Sequence, residues 1–406
     1  MKLTIINQPV CNRGDQAAHR ALIRLLTERC KNAEIDVLIL DKESRVATFA
    51  EARNNVKYLS FPSIRKHKKA MRRALHLPNI GLKVLPLFSD IRRYNKLITQ
   101  SDYVLCAPGG INMGGYLDWK HTWNLANAQA LGKRTGIFGR SIGPFSEETM
   151  AQRVFKRRAI EILLRVDHLS LRDKHSQEVA QELGLSYTPS IDTAFAYRPD
   201  AELALQPGFT GGQKYAVFVP NQLSHKYHRS KFKQASLDVL YRSIMETILA
   251  KGYDVAMLPQ LFGTEKVDRP YFEFLAQGSD RVRVHVLSDT LDCDVQQKVI
   301  SGASFVVGAR YHSIIFAINN HVPFLCLSYE HKMDGALEDL GLSEYLLPLG
   351  ELLDHDNGIA TLAASLHSII KNHDTIVSQL ELARKKAEAI VKEAFSDLLH
   401  RINEHT

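Results

Sequence analysis

The chain is poor in cysteine, short of acidic residues relative to basic ones, and without long apolar runs. No segment of its 406 residues approaches the roughly 20 apolar positions of a transmembrane helix. The opening Met1-Lys2-Leu3-Thr4-Ile5-Ile6-Asn7-Gln8 turns polar too soon for a signal peptide and reads as a first β-strand. Five cysteines (Cys11, Cys30, Cys106, Cys293, Cys326) are scattered without metal-ligand spacing. That pattern argues against a zinc module or a disulfide framework and for reduced core thiols. No internal repeat, low-complexity segment, Walker loop or G-x-G-x-x-G fingerprint occurs. These absences predict a cytoplasmic globular protein, with peripheral contact at the inner face of a membrane left open.

What is present fits that class. Hydrophobic content of 45% and charged content of 24% are ordinary for soluble globular proteins. The length exceeds one ordinary core and predicts two or three domains. A formal net charge of +8 implies acidic partners without naming them. Part of the excess sits in Arg65-Lys66-His67-Lys68-Lys69-Ala70-Met71-Arg72-Arg73. The plain reading is a solvated basic helix face. A second is a surface helix drawn to anionic phospholipid, at about 1 kcal/mol per basic residue near the membrane. Nucleic acid is not expected, because no zinc-finger spacing or RRM-type aromatic motif accompanies the charge.

Short apolar runs alternate with helical periodicity, the signature of α/β sheets. Strands are expected at Lys2–Asn7, Ile35–Leu40, Tyr103–Ala107, Thr135–Phe138 and His168–Leu171, with helices at Asp15–Cys30, Thr122–Leu131, Glu147–Leu164 and Lys174–Leu183. The irregular Arg198–Gln213, with its prolines and glycines, reads as a linker. A second set of strands follows at Tyr215–Val219, Asp254–Leu258, Val282–Leu287, Ser304–Val307 and Phe324–Leu327. The expected fold class is α/β, with two Rossmann-like domains facing a central cleft. They occupy residues 1–205 and 206–375, and an amphipathic helix follows at 376–406.

Ligands in open α/β sheets bind at the carboxyl ends of strands, so the residues there carry the chemistry. In Asn12-Arg13-Gly14-Asp15, Gly14 permits a tight turn and Asp15 is a helix-cap candidate; an ordinary βα turn is the alternative. Pro108–Gly115 holds four glycines that let backbone amides approach a ligand, or simply form a flexible loop. In Gly139-Arg140-Ser141-Ile142-Gly143-Pro144, the arginine and serine either reach a site or satisfy a turn. Leu171-Arg172-Asp173 places an arginine at a strand end, with Asp173 as an N-cap; a surface ion pair is the alternative.

The most informative run is Gly308-Ala309-Arg310-Tyr311-His312-Ser313, between a buried strand and an apolar helix. A helix N-terminus favours anions. Adding a fixed cation and a group that moves protons near neutral pH makes a site for a small, multiply charged anion. A satisfied core histidine beside a structural arginine is the alternative; against it, a guanidinium at the end of a buried strand needs a carboxylate or phosphate partner, and no acidic residue stands nearby before Glu330. The strand that follows delivers Tyr329 and Lys332 to its carboxyl end. Asn221–His228, with His225, Lys226 and His228, faces the same cleft or forms a solvated loop.

In their order along the chain, several of these pieces resemble the polysaccharide pyruvyl transferase family. They are Asn12-Arg13-Gly14-Asp15, Gly109-Gly110-Ile111, Ser141-Ile142-Gly143-Pro144, Arg172-Asp173-Lys174-His175-Ser176 and Gly308–Ser313, followed by Pro323 and Tyr329-Glu330-His331-Lys332. Tyr311 stands where the family more often has leucine. The resemblance implies a GT-B-like arrangement, with the N-terminal domain on the acceptor side and the C-terminal domain on the donor side. It also implies transfer of pyruvate from phosphoenolpyruvate onto two hydroxyls of one sugar, as a ketal, in exopolysaccharide, capsule or cell-wall polysaccharide synthesis. On this resemblance Arg172, Arg310 and Lys332 bind the donor, and Gly110, Asn112, Ser141 and Tyr329 are further substrate contacts. His312 is the general acid, and Asp15 is a base or a loop-orienting residue. Phosphoenolpyruvate is the donor, no cofactor or metal is implied, and the acceptor is a sugar or a lipid-linked oligosaccharide. The rival readings are a nucleotide-sugar glycosyltransferase of the same architecture and a non-catalytic component of a polysaccharide assembly complex.

Overall fold

A computed structural model describes residues 1–77, 85–114, 117–199, 214–223, 232–263, 267–280, 282–329, 331–354 and 357–404. By contact density the chain forms two compact units. The first comprises Met1–Val10, Ala18–Ala196 and Ala389–Thr406; the second comprises Cys11–Ala17 and Tyr197–Glu388.

The first unit is built on β1 (Lys2–Ile6), β2 (Glu34–Ile39), β3 (Val56–Ser60), β4 (Tyr103–Cys106), β5 (Gly109–Gly114), β6 (Arg134–Gly143), β7 (His168–Leu171) and β8 (Thr188–Pro189). All pairings are parallel, in the order β3-β2-β1-β4-β6-β7-β8, with β5 also on β6. The direction of winding reverses between β1 and β4, which puts the ligand-binding crevice of such a sheet at their carboxyl ends. Strands β1, β4 and β7 are buried almost throughout and so read as near-continuous apolar runs. Tyr94, Trp123, Phe155 and Ile137 fill the packing between sheet and helices.

Strand β6 runs through Gly139-Arg140-Ser141 to Gly143, where a turn was expected. The pairing with β7 shifts register between Ile137 and Arg140, and Gly139 has φ +57°. A glycine bulge therefore carries the strand onward instead of ending it. Gly114 lies so close to Gly143 that a Cβ there would overlap its backbone, which fixes glycine at the end of β5.

The second unit holds β9 (Tyr215–Val219), β10 (Asp254–Met257), β11 (Val284–Val286), β12 (Phe305–Gly308), β13 (Phe324–Ser328) and β14 (Leu346–Pro348). They form a parallel sheet in the order β11-β10-β9-β12-β13-β14. Winding reverses between β9 and β12, so Arg310 and His312, just past β12, lie at this sheet's switch point. The helix Tyr311–Asn319 is buried from His312 to Asn319. That burial explains why its sequence is apolar all round.

The final helix is His373–Asn403, with Ile376, Leu380, Ala383, Ala387, Val391, Ala394, Leu398 and Ile402 forming its buried row. Spacings of three and four residues give one apolar stripe. The basic segment divides into a 3-10 turn, Pro62–His67, and a helix, Lys68–His76, which buries Met71, Ala74 and Leu75. Among the described residues no helix is long and apolar enough to cross a membrane.

Candidate functional site

In the second unit the residues around Gly14 and His312 come together. The helix Arg13–Arg29 begins two residues before the expected start. Asn12 caps it by accepting the Gly14 N–H on Oδ1 at 2.7 Å. Asp15 falls in the first turn, where a carboxylate suits the helix dipole. Gly14 lies directly on the imidazole: a Cβ there would overlap Cγ, Nδ1 and Cδ2 of His312. Only glycine admits the buried histidine ring, and its neighbour is Asp15.

Arg13 fixes this start in place. Its amide donates to the Gln260 carbonyl at 3.0 Å, and its guanidinium lies 3.6 Å over the Phe262 ring. Further donations reach Gln16 Oε1 (3.0 Å) and the carbonyl of Asp289 (3.1 Å). Asn12 bridges Leu261, and the Phe262 amide donates to the Cys11 carbonyl at 3.1 Å.

Arg310 occupies the N-cap position of Tyr311–Asn319, with extended backbone and no side-chain cap. The expectation that it lacks an acidic neighbour is corrected here. Its guanidinium pairs with Asp268, 42 residues upstream and buried. The other Asp268 oxygen accepts the amides of Gln260 (3.0 Å) and Leu261 (2.9 Å). The loop after β10 thus supplies a counter-charge that sequence proximity does not show. Arg310 Nε remains buried without a hydrogen-bond partner among the described residues. So do both ends of the Gln260 amide, although that residue is only 1% exposed. Neither Asp268 nor Gln260 was singled out from sequence, and no local pattern marks them.

Tyr329 follows β13 directly and is half-buried, and Lys332 lies on the helix His331–Leu340. Asn221 is buried and donates to the Ala309 carbonyl at 3.5 Å. His225, Lys226 and His228 lie outside the described residues.

In the first unit Arg172 and Ser141 meet. Arg172 donates from Nη1 to Asp192 Oδ2 at 2.5 Å and from Nε to Ser141 Oγ at 3.0 Å. Ser141 Oγ donates to Asp173 Oδ2 at 2.6 Å, and Asp173 Oδ1 caps the helix Lys174–Glu182 through the Ser176 amide at 2.8 Å. Arg172, Asp192 and Ser141 are all buried. Asp173 does act as the expected N-cap. Arg140 is fully buried and ties strand ends, donating to the carbonyls of Ala107 and Asn7 at 2.9 Å each. Gly110 has open space where a Cβ would stand, so sterics alone do not require glycine there. Asn112 lies on β5.

A buried polar cluster missed in the sequence stands at the end of β1. Asn7 accepts from Asn124 Nδ2 (2.7 Å) and donates to the His121 carbonyl (3.0 Å), while His121 Nδ1 meets Asp118 Oδ2 at 2.6 Å. Burial pushes His121 down to about 4, against the raising effect of Asp118. Its sequence signal was Asp118-Trp119-Lys120-His121, an N-cap followed by a helix. All five cysteines are free thiols, four of them buried. Among the described residues no group of three His, Cys, Asp or Glu is placed to hold a metal ion.

Comparison with known proteins gives the fold and the family. S. aureus MnaA, solved with UDP, superposes with a TM-score of 0.62 at 12% identity, covering 99% of this chain and 97% of that one. The UDP-GlcNAc 2-epimerase from Neisseria meningitidis, bound to UDP-GlcNAc, gives 0.55 at 11% identity, covering 98% of this chain and all of the other. These likenesses show the fold, two Rossmann-like domains of GT-B type. The amylovoran biosynthesis protein AmsJ of Erwinia amylovora is 23% identical over 431 aligned positions, spanning 99% of this chain and all of AmsJ. The family model of polysaccharide pyruvyl transferases matches residues 12–331, so the chain belongs to the polysaccharide pyruvyl transferase family.

Proposed function

We propose that this protein transfers pyruvate from phosphoenolpyruvate onto two hydroxyls of one acceptor sugar, forming a ketal during polysaccharide synthesis. The observation that supports this most is the packing of Gly14 on His312. It draws the Asn12-Arg13-Gly14-Asp15 motif and the Arg310-Tyr311-His312 motif into one place in the second unit.

In this reading the donor's carboxylate and phosphate are held by arginine forks at Arg310 and Arg172 and by the point charge of Lys332. Gly110, Asn112, Ser141 and Tyr329 are further substrate contacts. A sugar hydroxyl adds to C2 of the enol phosphate as its proton passes to a base, for which Asp15 is the candidate. His312 delivers a proton to the methylene carbon, making it a methyl group. The second hydroxyl then displaces inorganic phosphate from C2, its proton passing to the departing phosphate, and closes the ketal. Atoms balance with phosphate as the one leaving group, and no redox partner is needed. The reaction sits among cytoplasmic steps of polysaccharide assembly, where phosphoenolpyruvate is available.

The test incubates the protein with phosphoenolpyruvate and a panel of aryl and lipid-linked glycosides. The expected product carries the mass of one ketal-linked pyruvate, with one equivalent of phosphate released. His312→Ala is expected to abolish transfer while donor binding persists. Wild-type turnover in that variant removes His312 from the chemistry. Transfer of a sugar from a UDP-sugar, with phosphoenolpyruvate inert, overturns the proposal altogether.

A further inference from the structure

The carboxyl edge of the first sheet holds a cavity of about 340 Å³ lined by Arg65, Lys68, Met71, Leu117, Asp118 and Lys120. Two separate stretches build it: Arg65 and Lys68 come after β3, and Leu117 to Lys120 come after β5. Three cations therefore converge on one concavity. The carboxylates beside them are already engaged. Asp41, after β2, takes Arg65 at 2.9 Å, Arg45 at 3.1 Å and the Lys42 amide at 2.8 Å. Asp118 takes the amides of Lys120 and His121 at 3.1 and 3.2 Å, and the His121 ring at 2.6 Å. Among the described residues neither Lys68 nor Lys120 has an ion pair or side-chain hydrogen bond.

Two local rules are broken here together. Lys68 opens the helix Lys68–His76 and Lys120 stands in the first turn of Trp119–Ala130, and neither first turn contains an acid. Lysine at the positive end of a helix is the unfavourable sign. The first of these helices has no side-chain cap either. Burial lowers the proton affinity of Lys120, Asp118 works against that, and Arg65 and Lys68 lower it further. Cations gathered against local preference, at a sheet edge where ligands bind, mark a functional site in place of a stabilising one.

We infer that this cavity binds an oxyanion carried by the acceptor, either a phosphate ester or a sugar carboxylate. Both present compact anionic oxygens to ammonium and guanidinium donors. The inference rests on the reading of the first unit as the acceptor side. It also reassigns the basic run Arg65–Arg73. Lys120 lies outside that run yet lines the same concavity, so the charge is shaped for a discrete group and not for a flat lipid surface.

The test titrates the full chain with glucose 1-phosphate, glucuronate and neutral glucose by calorimetry, for wild type, Lys68→Met and Lys120→Met. Saturable binding of one or both anions, absent for glucose, is expected, with Kd raised at least tenfold in Lys120→Met. Which anion binds tells ester from carboxylate. The melting temperature of Lys120→Met is expected to stay level or rise, which separates a lost ligand contact from a damaged fold. Equal Kd values in wild type and both variants overturn the inference. So does binding only to anionic phosphatidylglycerol vesicles, which makes the patch a membrane face. If phosphoenolpyruvate proves inert while the anion still binds here, the cavity stands and the pyruvyl transfer reading falls. If transfer proceeds and the KM of an anionic acceptor is the same in Lys120→Met, the cavity inference falls alone.

Discussion

Gly14→Ala is the sharpest perturbation the structure offers, because two effects of opposite sign meet at one methyl group. Glycine inside a helix costs up to about 1 kcal/mol relative to alanine, so propensity alone makes this change stabilising. The helix Arg13–Arg29 is the setting, and the backbone at Gly14 is not in the left-handed region. Packing says the reverse. The new Cβ falls under 3.0 Å from three atoms of the His312 ring, a closeness real Cβ atoms do not show. Ordinary contact begins at 3.4 Å, so the ring must retreat or the helix start must move. His312 is 7% exposed and Arg13 is anchored to Gln260 and Phe262, so neither side yields freely. Overpacking of this kind costs about 1–3 kcal/mol, and it wins over propensity. With His312 as the proposed acid, the functional cost is of comparable size, since displacing a reacting group by about 1 Å lowers rate by about 10²-fold. The assay measures phosphate release from phosphoenolpyruvate with acceptor present, beside a thermal melt. A loss of about 100-fold in kcat with a modest fall in Tm is expected. A variant with raised Tm and turnover within twofold of wild type refutes both the packing argument and the place of His312 in the chemistry.

Three more outcomes are expected. Asp192→Asn breaks the buried Arg172–Asp192 pair, and breaking such a pair costs about 3–5 kcal/mol; denaturant unfolding showing under about 1 kcal/mol would discount the pair. Gln260→Leu removes a buried amide with no partner among the described residues, so stability should hold or improve while donor affinity falls if that amide faces ligand; unchanged donor Kd assigns Gln260 to packing. Burial holds His168 near 4 against the raising pull of Asp397, and holds His19 near 3, with Arg20 pushing the same way. Both folded values lie below the free value of about 6.5, so the unfolded chain takes up the protons first. Stability is therefore complete above about pH 6.5 and falls as pH drops toward 4, by about 2–3 kcal/mol for His168. His168→Gln should flatten the Tm profile between pH 7 and 4.5, and an equally steep profile in that variant would show that His168 is not the titrating group.

The legible parts of the sequence were those where a local pattern carries the physics. Strands β1, β4, β7, β9, β10, β12 and β13 are short apolar runs because both faces of a parallel sheet are covered. Strand β3 escaped notice because its edge position leaves all but Val56 partly exposed. Strand β5 escaped because Gly109–Gly114 has loop composition, and β8 and β14 because they are two and three residues long. The same division holds for the site. Asp173 as a cap and Arg310 at a helix start were readable, since caps and strand ends are local. The packing of Gly14 on His312 and the pairing of Arg310 with Asp268 were not, because each depends on segments distant in the chain.

Those long-range pairings change what the arginines can do. Sequence reasoning took Arg310 as a buried cation requiring an external anion. Arg310 with Asp268, and Arg172 with Asp192, are instead internally balanced pairs. A guanidinium has five N–H donors in a rigid fork, and one carboxylate contact does not exhaust them. Asp268 therefore orients the Arg310 fork, and a donor bound as proposed would use its remaining N–H edge for direction more than for net charge. In the proposed reading, the charge balance for a carboxylate plus a phosphate then falls on Lys332 and on the start of Tyr311–Asn319, which has no side-chain cap. Lysine is therefore expected to be a poor substitute at Arg310. Lysine keeps the charge, which Asp268 already balances, and discards the planar geometry on which the site depends.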